Sequence, residues 1–147
     1  MTDWPRHMTS RSNPQADPLS EILGMIRLSG AVFLDNHFTA PWSVMASVTA
    51  EDCAPYTLHP RQFVAYHLIA EGEAYILVPG EEAVHATAGD AIILPRNDPH
   101  VMASDLGLAP MRADDFVLPG ENGAIARCNL GKGGRLTRIY CGFLSTL

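Results

Sequence analysis

At 147 residues, 47% hydrophobic and 18% charged, the chain has an ordinary globular composition, long enough to bury one core and short for two domains. A net charge of −6 excludes a broad basic surface that would neutralise a phosphate backbone, so this chain alone is not expected to bind DNA. The longest apolar runs, Tyr75 to Pro79 and Ala91 to Pro95, are far shorter than the roughly 20 residues of a membrane helix. The three cysteines, Cys53, Cys128 and Cys141, have no paired spacing and point to free thiols in a reducing compartment rather than to a disulfide framework.

Residues 1–16 are polar and interrupted by proline, with no apolar stretch of the secretory kind; they are expected to be a disordered leader on a cytoplasmic protein whose single domain spans 17–147. One N-terminal α-helix follows. Asp17 caps it, Pro18 suits its first turn, and Leu19, Ile22, Leu23 and Ile26 recur on one face until Gly30 stops it. No further helix is predicted. From Ala31 onward, short runs rich in Val, Ile, Phe and Tyr alternate with turn residues, the pattern of an all-β sandwich or jelly-roll-like barrel. The candidate strands are Ala31–His37, Trp42–Val48, Gln62–Ala70, Glu73–Val78, Ala83–Thr87, Ala91–Leu94, His100–Ala103, Ala124–Leu130 and Leu136–Leu144. Glu71-Gly72-Glu73, Pro79-Gly80 and Gly89-Asp90 are expected to reverse the chain as turns of a meander. The segment from Ser104 to Gly123, with Pro110, Pro119 and the pair Asp114 and Asp115, breaks the rhythm and is expected to be a surface loop near a barrel mouth. Gly131-Lys132-Gly133-Gly134 lacks the spacing of a phosphate-binding loop and reads as a hairpin turn.

The stretch from Phe63 to His100 carries the most information. A strand enters the turn at Gly72; Gly89, Pro95 and His100 then follow at the spacing of a second motif, with Asp98-Pro99 just before the histidine. This stretch resembles the paired motifs of the cupins. The resemblance implies a double-stranded β-helix barrel of the RmlC-like cupin superfamily. The first motif departs from the metal-dependent pattern: Leu58 and Pro60 stand where histidine ligands would fall, and Ala65 where the glutamate would. Without those ligands, the usual dioxygenase and isomerase chemistry is not expected. Asp17-Pro18-Leu19, Gly30 to Phe33, Ala40-Pro41-Trp42, Tyr66 to Leu68, Pro99-His100-Val101 and Cys141-Gly142 resemble the N-terminal sensor domain of AraC-type transcription regulators. That resemblance spans Asp17 to Leu144 and implies a non-catalytic domain that binds a small-molecule effector and dimerises. Nothing in the chain reads as a recognition helix, so the DNA-binding helix-turn-helix part is expected to lie outside it.

Period-two alternation places His67 on the strand face of Ala65, and Cys141 on the more apolar face shared by Thr137, Ile139 and Phe143. His100 holds the retained motif position, which the resemblance implies faces inward. Two readings follow. In one, His67, His100 and Cys141 form a divalent metal site, zinc by ligand type, or together with Trp42 line an effector or oxidant pocket. In the other, both histidines are hydrogen-bonded core residues, Cys141 is a buried small hydrophobe and Trp42 is core packing. His37, His59 and His85 are expected at the surface or a strand edge; Cys53, beside Glu51 and Asp52, is not a reactive-thiol candidate, and Cys128 after Arg127 is a weak one. The competing functions are a stand-alone cupin enzyme with a His67/His100/Cys141 metal, and a redox sensor acting through Cys141.

Overall fold

A computed structural model of the chain describes residues 17–18, 28–54 and 62–146. The expected leader, nearly all of the N-terminal helix, and the positions Leu58, His59 and Pro60 lie outside the described residues. The rest forms two facing β-sheets. The strands are β1 Leu28–Thr39, β2 Ser43–Ala46, β3 Phe63–Glu71, β4 Glu73–Leu77, β5 Val84–Thr87, β6 Ala91–Leu94, β7 His100–Ala103, β8 Met111–Arg112, β9 Val117–Leu118, β10 Ala126–Gly131 and β11 Leu136–Thr146. The larger sheet runs in the order β6-β3-β11-β1-β10-β9 and the smaller in the order β5-β4-β7-β2-β8. This is the jelly-roll arrangement expected of an all-β chain.

Period-two alternation builds the interior. On β1, Leu34, Asn36 and Phe38 point inward, and on β3 so do Ala65, His67 and Ile69. On β11 the inward set is Thr137, Ile139, Cys141 and Phe143, all buried, which agrees with the face assigned from sequence. The smaller sheet answers with Val44, Ala74, Ile76 and Met102. A second cluster closes one end: Phe143 meets the ring of Phe63 edge-on at 6.0 Å, with Val48, Cys53 and Leu94 around it.

The turn residues do different work from that expected. Gly72 and Gly89-Asp90 are not reversals. β3 pairs with β6 in the larger sheet and β4 with β5 in the smaller, so the segment from Phe63 to Leu94 is one long hairpin bent across both sheets. Its ladder continues through the bend, with Ala88 N–H donating to Gly72 C=O at 3.0 Å and Ile69 N–H to Asp90 C=O at 3.0 Å. Gly72 has φ 76°, and a Cβ there would meet the Leu136 carbonyl. Of these three expected reversals, Pro79-Gly80 is the hairpin tip. The glycine-rich segment at Gly131 is not a hairpin turn either, because β1 lies between β10 and β11. The loop instead arches over the end of β1, with Lys132 N–H donating to Thr39 C=O and Gly134 N–H to Ala40 C=O.

Two short helices were not foreseen. The first, α1 (Ala50–Cys53), is held by a capping box between Thr49 and Asp52, a signature present in the sequence. The second is a 3-10 turn, Ala113–Phe116, flanked by β8 and β9; the expected surface loop from Ser104 to Gly123 therefore contains strands that extend both sheets. These strands are two residues long, too short to show a period. Among the described residues, no helix is long and apolar enough to cross a membrane.

Candidate functional site

Three of the four residues singled out from sequence converge at one end of the barrel. His67 comes from the middle of β3, Cys141 from the neighbouring β11, and His100 from the first position of β7 in the opposite sheet. Their relative exposures are 2%, 4% and 0%. His67 Nδ1 lies 2.7 Å from Cys141 Sγ, and His67 Nε2 lies 2.7 Å from His100 Nε2. His100 Nδ1 lies 2.9 Å from the carbonyl oxygen of Asp98. At the other end Asn36, 1% exposed, donates from Nδ2 to Cys141 Sγ at 3.1 Å and to the Ile139 carbonyl at 3.0 Å.

The Asp98 carbonyl fixes the proton of His100 and the one between the two imidazoles, since a carbonyl only accepts. His100 therefore carries its proton on Nδ1 and leaves Nε2 as an acceptor. His67 then donates from Nε2; burial disfavours both the thiolate and the imidazolium, so Nδ1 accepts and the Cys141 thiol donates to it. The order is Asn36 to Cys141 to His67 to His100 to Asp98, all neutral and each polar atom engaged. The local electrostatics agree. Burial, reinforced by the neighbouring His100, holds His67 down at about 3. Burial also lowers His100, against the opposing effect of its bond to Asp98. Burial pushes the Cys141 thiol up to about 12, although the Asn36 amide acts the other way. No thiolate–imidazolium pair forms here, which is the state a nucleophilic cysteine requires.

The fit of a metal can be tested on this geometry. Two nitrogens on one tetrahedral zinc, each about 2.0–2.1 Å from it, stand about 3.3 Å apart. The imidazole nitrogens here are closer than that, at hydrogen-bond distance, and His67 turns its two ring nitrogens toward different partners. The donors lie in sequence along a chain rather than around a point, and no cluster of three His, Cys, Asp or Glu side chains placed to hold a metal ion occurs among the described residues. As they stand, the three residues do not fit one zinc ion.

Above this chain opens a cavity of about 310 Å³, within the lower range for small-ligand pockets. His67, His100 and Cys141 form its floor, and Phe33, Leu34, Val48, Val117 and Ala126 give it apolar walls. Glu51 and Asp52 of α1 and Asp114 of the 3-10 turn stand at its rim. Asn97 staples the rim: its side chain accepts from Val48 N–H at 3.0 Å and donates to Val48 C=O at 2.7 Å, tying the loop before His100 to the end of β2.

The fourth residue, Trp42, does not line this cavity. It lies at the opposite end of β2, its ring 4.6 Å from that of Phe38, beside a separate hollow bounded by Leu108, Met111 and Lys132. His85 is exposed against Glu73, and His37 sits on the outer face of β1, 3.1 Å from Asp35. Cys53 and Cys128 are buried, and burial pushes each thiol up to about 11. The residue that sequence reasoning missed is Asn36. Its signal was available: on the strand face shared with Leu34 and Phe38 it is the polar member, and a buried amide needs partners.

With the two sheets and the inward His100 in place, a comparison with known families becomes informative, and the chain matches the Cupin family over residues 17–146. The chain belongs to the cupin family. Two solved structures resemble this cupin at low similarity. One is an RmlC-like cupin protein from Desulfovibrio desulfuricans, 12% identical, with TM-score 0.37, covering 95% of this chain and 97% of that one. The other is an HTH_3 family transcriptional regulator from Vibrio cholerae, 11% identical, with TM-score 0.37, covering 74% of this chain. This cupin corresponds to 39% of that regulator's chain. A search of curated proteins finds no match.

Proposed function

We propose that this cupin is the effector-sensing domain of an AraC-type transcription regulator, binding a small molecule in the barrel without transforming it. The observation that carries the reading is the floor of the cavity. Its histidines and thiol are neutral, mutually bonded and free of an activated nucleophile or a poised general base. What remains is a partly open, mainly apolar space of suitable size. The segments resembling AraC-type sensors include Tyr66 to Leu68 and Cys141-Gly142, which carry two members of the floor, so the resemblance and the cavity bear on the same place.

The test is binding without turnover. Small apolar compounds are screened for stabilisation of the native chain and of Ala126→Phe, which fills the cavity from β10. Ligands that stabilise the native protein and not the variant, and are recovered unchanged after long incubation, are the expected outcome. A ligand recovered chemically altered would overturn the non-catalytic part of the reading. Metal analysis of protein purified without chelator addresses the rival enzyme: a stoichiometric divalent ion lost in His100→Ala would replace the closed floor by a metal centre. A pair of helix-turn-helix units encoded in the same or an adjoining reading frame would support the regulatory assignment.

A further inference from the structure

We infer that the cavity selects a small amphiphile with an apolar body and a cationic amine head, held head-outward. This rests on the reading of the cavity as a binding site and adds the chemistry of what it takes. The first premise is the saturated floor. Every hydrogen-bonding atom of His67 and His100 is engaged, and the Cys141 sulfur both donates to His67 and accepts from Asn36. A ligand that sends a polar group to the floor must therefore break a buried bond, whereas an apolar end breaks none. The walls favour the same orientation, since Phe33, Leu34 and Val117 offer only carbon.

The second premise is the rim. Glu51, Asp52 and Asp114 line the opening, and among the described residues no lysine or arginine lines the cavity. Arg112, mostly exposed, lies 3.5 Å from Asp114. Asp52 spends one oxygen on the Thr49 backbone N–H and hydroxyl, at 2.7 and 2.8 Å, but keeps its charge and its second oxygen. A carboxylate ligand would meet three like charges at this opening; an ammonium would meet three acceptors for its three N–H donors. Cavity depth, a closed floor and a one-signed rim thus converge on one ligand class.

The experiment measures binding of hexylamine, hexanol and hexanoate to the full chain by calorimetry, at low and high salt. The three share a carbon body and differ in head charge. The expected order is amine over alcohol over acid, with amine exceeding alcohol about three- to tenfold, as for partly exposed ion pairs. That preference is expected to shrink at high salt and in the double variant Glu51→Gln/Asp114→Asn, which leaves the Asp52 cap of α1 intact. Hexanoate binding as tightly as hexylamine would overturn the inference, and so would an amine preference unchanged in the variant. Amine binding that persists in Ala126→Phe would place it on the surface and overturn it too. If alcohol binds and amine binds no better, the head-group inference fails while the cavity reading stands; if none of the three saturates, both fail.

Discussion

Acid titration of His67→Phe tests the neutral relay directly. In the folded protein, burial keeps His67 unprotonated down to about pH 3, whereas an unfolded histidine takes up a proton near pH 6.5. Below pH 6.5 the unfolded state therefore binds more protons than the folded one, and the free energy of unfolding falls as pH falls. One such histidine contributes a slope of about 1.4 kcal/mol per pH unit. His100, also lowered, adds to the slope in the same direction.

Phenylalanine keeps the shape of the imidazole and removes the titration, but leaves the Cys141 thiol and His100 Nε2 without their partner. The orphaned His100 Nε2 costs about 1–3 kcal/mol and the thiol, a weak donor, adds little, so the variant should be less stable than the native chain by about 2 kcal/mol at pH 7.5. Since the native protein loses about 1.4 kcal/mol more per unit below pH 6.5, the two stability curves should cross near about pH 5. Urea unfolding between pH 4 and pH 7.5 reads this directly. Carboxylates held below their ordinary values by their cationic partners, such as Asp35 and Glu73, are common to both proteins and cancel. Parallel curves would refute the claim that His67 is held neutral by burial.

Cys141 in the native protein should alkylate on the order of a thousandfold more slowly than a free thiol at pH 8, because thiolate is scarce at a pKa of about 12. Mass-resolved pulse labelling checks this, and rapid modification of Cys141 would reopen the redox-sensor reading. Gly131→Ala should destabilise by about 3 kcal/mol or prevent folding, since its φ is 122° and an added Cβ would collide with the Thr39 carbonyl. Gly80→Ala, with positive φ but open space around it, should cost only about 1 kcal/mol. Equal losses would contradict the arch over β1. Arg138→Met should destabilise by about 1–3 kcal/mol, because it removes a two-pronged partner, at 2.9 and 3.1 Å, from the buried Asp35 carboxylate.

Strand positions and facing were legible because period two is a local signal: β6 and β7 have the predicted bounds, and the inward set on β11 was assigned correctly from alternation. Pairing was not legible. Nothing local tells Gly72 to bend a strand from one sheet to the other instead of reversing it, because the bend exists only when β6 and β3 pair across it. The glycine run at Gly131 likewise depends on β1, distant in sequence, lying between β10 and β11. At the site, strand alternation and the retained motif position brought His67, His100 and Cys141 together as metal ligands or as core. Deciding between a point and a chain of contacts takes side-chain direction, which spacing does not contain. Trp42 was grouped with them from its place on an early strand, yet β2 carries it to the end away from His100.

The floor spans the two sheets, and this bears on how occupancy would be felt elsewhere. Asn36, Cys141 and His67 belong to the larger sheet, while His100 opens the smaller, so the bond between the imidazoles is a polar clasp across the interior. The clasp is seated by Asp98, and its neighbour Asn97 is fixed to Val48 at the end of β2. The loop that seats His100 is therefore bound to the segment just after β2. A ligand can shift such an arrangement only as far as it prefers one setting of the clasp over another.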